Sequence, residues 1–322
     1  MAGSVPTRLP GAGYGWPRMA ETRTPVKLTE PPLPEPRYSY GGDEFVFCEL
    51  DVAMSFHANF KALAICRELE GRRLPGIVEI AQANASYVIR YDPDLVAPRR
   101  LLGELREIHE HADPEALSFR TRVFDIPAFY NDPWTYECLM KVRDLHQYPE
   151  GTDLEYVAQI NGLTPEQFIE RHHGSPFYIT MVGFVPGTAW FYQMVRQERA
   201  LGVPKYLRPR TDTPALSLSH GGSFAAIYPT RGPGGYQLFG MCALPILDPA
   251  QELPDFKDSF AIFRAGDVAK FRPIGREEFD ELRAKVEEKT ARYRIAEVDF
   301  RPSSFFADPD GYAAELVAGL YA

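Results

Sequence analysis

Glu44-Phe45-Val46-Phe47-Cys48-Glu49-Leu50 is a run rich in β-formers and reads as a strand. Behind it, Ala58, Ala62, Ile65 and Leu69 recur at spacings of four, three and four. That is one apolar face of a helix over 53–70, and Gly71 stands where a C-cap glycine belongs. Two strands follow at 76–82 and 86–91, the second ended by Asp92-Pro93. Leu101, Leu102, Leu105 and Ile108 mark a second helix, and 117–126 a further strand. The order β-α-β-β-α-β is the split βαβ, ferredoxin-like pattern, which makes 38–126 a first α/β domain.

On the N-terminal side, residues 1–37 are rich in Pro and Gly, ending in Pro31-Pro32-Leu33-Pro34-Glu35-Pro36, and read as a disordered or extended arm. Gly11-Ala12-Gly13-Tyr14-Gly15 imitates part of a dinucleotide fingerprint, but it follows no strand and opens no helix. On the C-terminal side, Asp132-Pro133 can start a helix over 133–147, and 154–160 is a short helix ended by Asn161-Gly162. Thr164-Pro165-Glu166-Gln167 opens another that runs to His172-His173-Gly174. Short apolar segments then alternate with Gly and Pro at 177–184, 215–219, 224–228, 236–247 and 268–271, the texture of a β-barrel or sandwich. Phe279, Leu282, Val286 and Tyr293 share a helical face, and 310–321 suits a last short helix. The expected organisation is α+β: the arm, the ferredoxin-like domain, a barrel domain over 127–275 with a helical insertion, and a helical extension over 276–322.

The 322 residues carry 44 acidic and 35 basic side chains, a formal net charge of −9. A general DNA-binding surface needs the opposite sign, so nucleic acid is not an expected partner. No run approaches the ~20 apolar residues that cross a bilayer, and no secretory leader is visible, so a membrane is not expected either. Cys48, Cys66, Cys138 and Cys242 form no C-x-x-C pair, which suits reduced, buried thiols in a cytoplasmic protein. His109-Glu110-His111 with Asp113 has metal-ligand residue types, but helical neighbours point apart, and no metal site is expected. No G-x-x-x-x-G-K-[ST] phosphate loop exists. Glu137-Cys138-Leu139-Met140-Lys141-Val142 resembles a biotin attachment motif with one residue too many, in a helical pattern rather than a hairpin tip. No covalently bound cofactor is therefore expected.

Four stretches carry candidate chemistry. In Ser219-His220-Gly221-Gly222-Ser223 the paired glycines let backbone N–H groups approach a ligand oxygen, although the G-x-S-x-G elbow of a serine hydrolase is missing. Gly232-Pro233-Gly234-Gly235-Tyr236-Gln237 is a second tight turn. Lys205, Arg208 and Arg210 suit a carboxylate or carbamate, because a guanidinium pairs with carboxylate as a fork. Phe184-Val185-Pro186-Gly187, followed by Trp190, Phe191 and Tyr192, offers an aromatic wall. Spacing alone leaves the plainer readings open: a glycine-rich barrel turn, a solvated loop and core packing.

Together these stretches resemble a known family. Met181-Val182-Gly183-Phe184-Val185-Pro186-Gly187 is similar to its M-x-G-F-x-P-G segment. Pro209-Arg210 through Pro214, Gly221-Gly222, Ile227-Tyr228-Pro229 and Pro233-Gly234-Gly235 follow its P-R-x-x-x-P … G-G … I-Y-P … P-G-G order, and Gly266-Asp267 with Phe271 resembles its closing G-D-x-[IV]-x-F. This is the allophanate hydrolase subunit 1 family, also called KipI or the B subunit of 5-oxoprolinase. The same module forms half of the carboxyltransferase domain (subdomains C and D) of biotin-dependent urea carboxylase. Lys205-Tyr206 … Arg210-Thr211 … Thr213-Pro214 and Tyr156-Val157-Ala158-Gln159-Ile160-Asn161-Gly162-Leu163 lean toward that enzyme. Gly240-Met241-Cys242 departs from the usual G-R-T.

The resemblance implies an N-terminal α/β domain, a cyclophilin-like barrel and a cleft shared with a second carboxyltransferase-type subunit (KipA-like, or subunit 2-like). A biotin carboxylase or amidase subunit is a further implied partner. The implied reaction is urea carboxylase-like transfer from carboxybiotin, delivered by a partner, to a urea-like or amide nitrogen. Lys205, Arg208 and Arg210 are the expected clamps and His220 the proton-transfer group. Thr211, Ser223 and the backbone at Gly221, Gly222, Gly234 and Gly235 would bind substrate against a wall of Tyr228 and Tyr236. The family also contains ATP-dependent 5-oxoprolinase-like hydrolases, for which ATP would sit on a partner, and a protein-binding inhibitor of a histidine kinase.

Overall fold

The computed structural model describes residues 27–322. The 11–15 stretch and residues 1–26 of the expected arm lie outside the described residues. Strands β1 (Arg37–Gly41), β2 (Phe45–Glu49), β3 (Ile77–Gln82) and β4 (Ser86–Tyr91) form an antiparallel sheet in the order β1-β2-β4-β3. Helices α1 (Phe56–Arg72) and α2 (Pro98–His111) cover one face. Ala62, Ile65 and Leu69 of α1 meet Leu101, Leu105 and Ile108 of α2 over Val46, Cys48, Ile89 and Tyr91. Ser55 caps α1 by accepting from the Ala58 N–H. The helix runs past Gly71, and Arg73 takes the left-handed conformation instead (φ 48°), donating its N–H to the Glu70 carbonyl.

The strand expected to finish this sheet does not. β5 (Phe119–Tyr130) leaves for the second body, and β1, reached through a turn at Gly42 (φ 62°), takes the edge beside β2. The reason lies in burial: residues 123–128 of β5 are covered on both faces, which a sheet with helices on one side cannot provide.

Seven strands close into a barrel in the order β12-β9-β10-β7-β6-β13-β5, with β12 pairing back to β5. They are β5, β6 (Phe177–Val182), β7 (Ala189–Gln193), β9 (Ser217–Gly221), β10 (Phe224–Ile227), β12 (Gln237–Cys242) and β13 (Val268–Pro273). The pairing of β13 with β5 is parallel and the others are antiparallel. Phe124, Phe177, Ile179, Phe191, Leu218, Ile227, Phe239 and Phe271 fill the interior. β8 (Arg210–Thr213) and β11 (Gly232–Gly234) make a separate two-stranded ribbon. Three helices are inserted between β5 and β6. α3 (Pro133–Lys141) is shorter than expected and gives way to a turn of 3-10 helix, while α4 (Asp153–Ile160) and α5 (Pro165–His173) each begin with a capping box, at Thr152 and Thr164.

The extension after the barrel is not wholly helical. α6 (Arg276–Glu287) ends before Tyr293, and β14 (Arg294–Phe300) pairs with residues 119–125 of β5. Then come α7 (Pro302–Ala307) and α8 (Pro309–Tyr321). An aromatic cluster joins the parts: Phe56 and Phe60 of α1 meet Tyr178 and Tyr192 of the barrel and Phe300, Phe305 and Phe306 of the extension. Phe56 and Phe305 have ring centroids 4.5 Å apart, Phe60 and Tyr178 5.2 Å. Residues expected to belong to the arm are seated here. Leu28 is buried in the cluster and its N–H donates to the Phe306 carbonyl (2.7 Å), while Glu30 accepts from the Phe56 and His57 N–H groups at 3.0 and 2.6 Å. All four cysteines are buried and free. Among the described residues no helix is long and apolar enough to cross a membrane.

A candidate active site on the outer face of the barrel

Strand alternation sorts the candidate residues. In β9 and β10, Leu218, Ala225 and Ile227 belong to the interior core, so Ser217, Ser219, Gly221, Phe224 and Ala226 face outward. Tyr236 lies flat on this outer face. A Cβ on Gly221 would stand 2.3 Å from its ring, so only glycine permits the contact. A Cβ on Gly234 would likewise stand 2.2 Å from the Tyr228 hydroxyl. The ribbon folds over both: Arg210 pairs with Gly234 and Thr213 with Gly232, and the Tyr206 N–H donates to the Gly235 carbonyl (2.7 Å). At the β9–β10 turn Gly222 adopts φ 63° and exchanges backbone hydrogen bonds with Val203. Gly221, Gly222, Tyr228, Gly234, Gly235 and Tyr236 thus converge on one place.

Arg210 is at its centre, 1% exposed. Its Nη2 donates to the Tyr236 carbonyl (2.6 Å) and its Nε to Thr213 Oγ1 (3.3 Å). The guanidinium carbon lies 4.5 Å from the centroid of the Tyr206 ring. Nη1 is buried without a partner, as is the Tyr236 hydroxyl. Among the described residues no carboxylate forms a salt bridge with Arg210. A buried cation left in this state is costly, and the arrangement suits capture of an anionic group.

Beneath Arg210 is a polar layer that sequence reasoning missed. Tyr206 Oη donates to Asp153 Oδ1 (2.5 Å), and Asp153 Oδ2 accepts from the Leu238 N–H (2.6 Å). His146 Nε2 lies 3.2 Å from Asp153 Oδ1 and 3.0 Å from Gln237 Oε1. Burial, then the neighbouring Asp153, push the Tyr206 phenol upward, and burial raises Tyr228, Tyr236 and Cys138 as well. The one signal in the sequence was Tyr206 in the Lys-Tyr-x-x-x-Arg spacing. His146 and Asp153 lie more than 50 residues earlier.

Other expected residues are elsewhere. Lys205 stands at the solvent edge, its Nζ 5.2 Å from the Tyr236 ring centroid. Arg208, Thr211 and Ser223 are exposed, so the expected three-cation clamp reduces to one buried arginine with Lys205 at its rim. His220 is turned away. It alternates with Leu218 into the barrel, is fully buried, and its ring centroid lies 6.3 Å from that of His172. Neither of its nitrogens makes a well-formed hydrogen bond to a described residue, although the Leu201 backbone lies close. Burial pushes it down to about 4, opposed by the nearby Leu201 backbone. β9 itself separates His220 from Arg210, which removes the expected proton-transfer role at this site. Of the aromatic wall, Trp190 faces Phe224 and Tyr236 at 5.3 and 6.2 Å, while Phe191 packs in the core. Phe184 is 78% exposed with a left-handed backbone (φ 86°). Met241, where the resemblance implies an arginine, packs with Ala243, Ile274 and Phe279.

Comparison with known proteins follows the same lines. The family described as carboxyltransferase domain, subdomain C and D, matches residues 36–256. The B subunit of 5-oxoprolinase from Bacillus subtilis (strain 168) is 26% identical over 247 residues, spanning 74% of this chain and 92% of that protein. The urea amidolyase of Saccharomyces cerevisiae is 24% identical over 260 residues, which are 77% of this chain but 14% of that one. Among solved structures, the Kluyveromyces lactis urea carboxylase superposes with a TM-score of 0.75 at 19% identity, covering 91% of this chain and 27% of its own. That likeness establishes the shared fold.

Proposed function

The chain belongs to the carboxyltransferase domain, subdomain C and D, family, and from that membership we propose that it supplies one wall of a carboxyltransferase-type active site acting on a urea-like or amide nitrogen. Relatives in the family are subunits of enzymes or domains of much longer enzyme chains. The observation that carries the reading is Arg210, a desolvated guanidinium whose Nη1 has no well-formed hydrogen bond and which has no carboxylate salt-bridge partner among the described residues. A carboxylate at Nη1 satisfies both its charge and its hydrogen bond. Tyr228 and the Tyr236 carbonyl stand beside it, and Trp190, Gly221 and Lys205 border the Tyr236 ring. Carboxybiotin on a partner subunit supplies the carboxyl group in this reading, and Arg210 is the residue of this chain that holds it. A second carboxyltransferase-type chain closes the cleft.

A second reading has support of its own, because the first two relatives are 5-oxoprolinase subunits matched over 92% and 93% of their length. In that reading the amide is a lactam, ATP binds on a partner, and Arg210 holds the substrate carboxylate. Co-expression with the second subunit, an avidin blot, and parallel assays of biotin-dependent carboxylation of urea and ATP-dependent opening of 5-oxoproline separate the two. In either complex Arg210→Met lowers turnover about 100-fold with the circular-dichroism spectrum retained. Unchanged turnover removes Arg210 from the site. Turnover by the isolated chain, without partner or coenzyme, removes the shared-cleft reading itself.

A further inference from the structure

A buried arginine beside a buried aspartate would ordinarily pair with it. Here Asp153 is only 3% exposed, yet a tyrosine stands between the two charges. Tyr206 Oη gives its proton to Asp153 at 2.5 Å, and the same ring carries the Arg210 guanidinium on its face at 4.5 Å. Asp153 has a second side-chain neighbour in His146, whose Nε2 lies 3.2 Å from Oδ1; burial pushes this histidine downward, but the Asp153 bond and charge, with Gln237 and Tyr148, hold it above its ordinary value. The carboxylate's oxygens are thereby engaged away from Arg210, by Tyr206, the Leu238 N–H and His146, and Nη1 stays unpaired.

Resting on the reading of Arg210 as an anion-binding group, we propose that Asp153 is a positioning residue for Arg210, acting through Tyr206. The geometry is over-determined. Asp153 is fixed by the first turn of α4 and by the Leu238 N–H of β12. Tyr206 is held at both ends, its hydroxyl by Asp153 and its N–H by the Gly235 carbonyl. Two of the guanidinium nitrogens are occupied, by Thr213 and the Tyr236 carbonyl. Only Nη1 is left for a further partner, and a donor whose neighbours are held in place is the one that stabilises developing charge most. His146, Tyr206 and the Leu238 N–H come from separate parts of the chain, and a packing role alone does not require them to meet at the Asp153 carboxylate.

The test reads the arginine directly. In nitrogen-15-labelled protein the Arg210 Nε–H resonance is assigned by its loss in Arg210→Lys, and its solvent exchange is measured in Tyr206→Phe and Asp153→Asn. Tyr206→Phe keeps the ring and removes only the link. Exchange should accelerate roughly tenfold in both variants, the loss of one charge-assisted hydrogen bond, with kcat of the assembled enzyme falling while the melting temperature in Tyr206→Phe stays close to that of the parent. Unaltered exchange in Tyr206→Phe overturns the proposal, whether or not Asp153→Asn folds. The outcome is independent of the functional reading, which instead fails if Arg210→Met retains full turnover.

Discussion

His220 and His146 show how far one residue type is set by its surroundings. His220 is pushed to about 4 by burial inside the barrel, whereas an unfolded histidine titrates near 6.5. The unfolded chain takes up the proton first. Stability therefore falls as pH drops from about 6.5 to about 4, by roughly 3 kcal/mol for this group. His220→Leu should flatten the acid limb of a plot of urea-unfolding free energy against pH, and an unaltered limb would count against this account. His146 has the opposite sign, because its value is raised. Its contribution is full below about pH 6.5 and is lost as pH rises through the raised value. His146→Gln should consequently cost more at about pH 6 than at about pH 8, which the same denaturation series measures. The Ser-His-Gly-Gly-Ser stretch drew attention to His220 because motif reading ignores sidedness. Small outward residues at Ser217, Ser219 and Gly221 alternate with Leu218 and His220, and that alternation already placed the imidazole on the apolar side.

Secondary-structure elements were legible where local chemistry decides them. Thr164 and Gln167 cap α5 as their types require, and β2, α1, β3, β4 and α2 stand close to where periodicity puts them. β5 was recognised as a strand but assigned to the wrong sheet, because partner choice depends on what covers each face. β14 and β7 escaped notice for related reasons. The first is mostly exposed, its apolar residues interrupted by Glu297 and Asp299, and the second reads as an aromatic stretch. At the site, the glycines of β9 and β11 are spacers for aromatic rings. Gly221→Ala should drive the Tyr236 ring off the strand, costing about 1–3 kcal/mol and turnover in the assembled enzyme. Gly202 is the control, since a methyl group there would meet nothing within 4 Å and its backbone is not left-handed. Gly202→Ala should remain within about 0.5 kcal/mol. Thermal melts of the two variants side by side decide the point.

For the molecule as a whole, the aromatic cluster of Phe56, Phe60, Tyr178, Tyr192, Phe300, Phe305 and Phe306 ties the helical face of the first sheet to the barrel. Much of that cluster comes from the extension and from the segment around Leu28, regions whose sequence suggested only a helical tail and a loose arm. Phe56→Ala should cost about 3–5 kcal/mol. Deleting residues 302–322 should expose Phe56, Phe60 and Phe300, raising dye binding and speeding amide exchange in α1. Retention of the parent's exchange pattern would mean that the first sheet is held by other contacts.

β13 has a practical consequence for anyone who shortens this chain. The match to the family model stops at residue 256, while the stave that joins β6 to β5 lies at Val268–Pro273. A fragment trimmed to that match would be a hoop with a gap, offering two raw strand margins to any other molecule in solution. The end of that match and the border of the folding unit are different lines, and only the second yields a piece that stays closed.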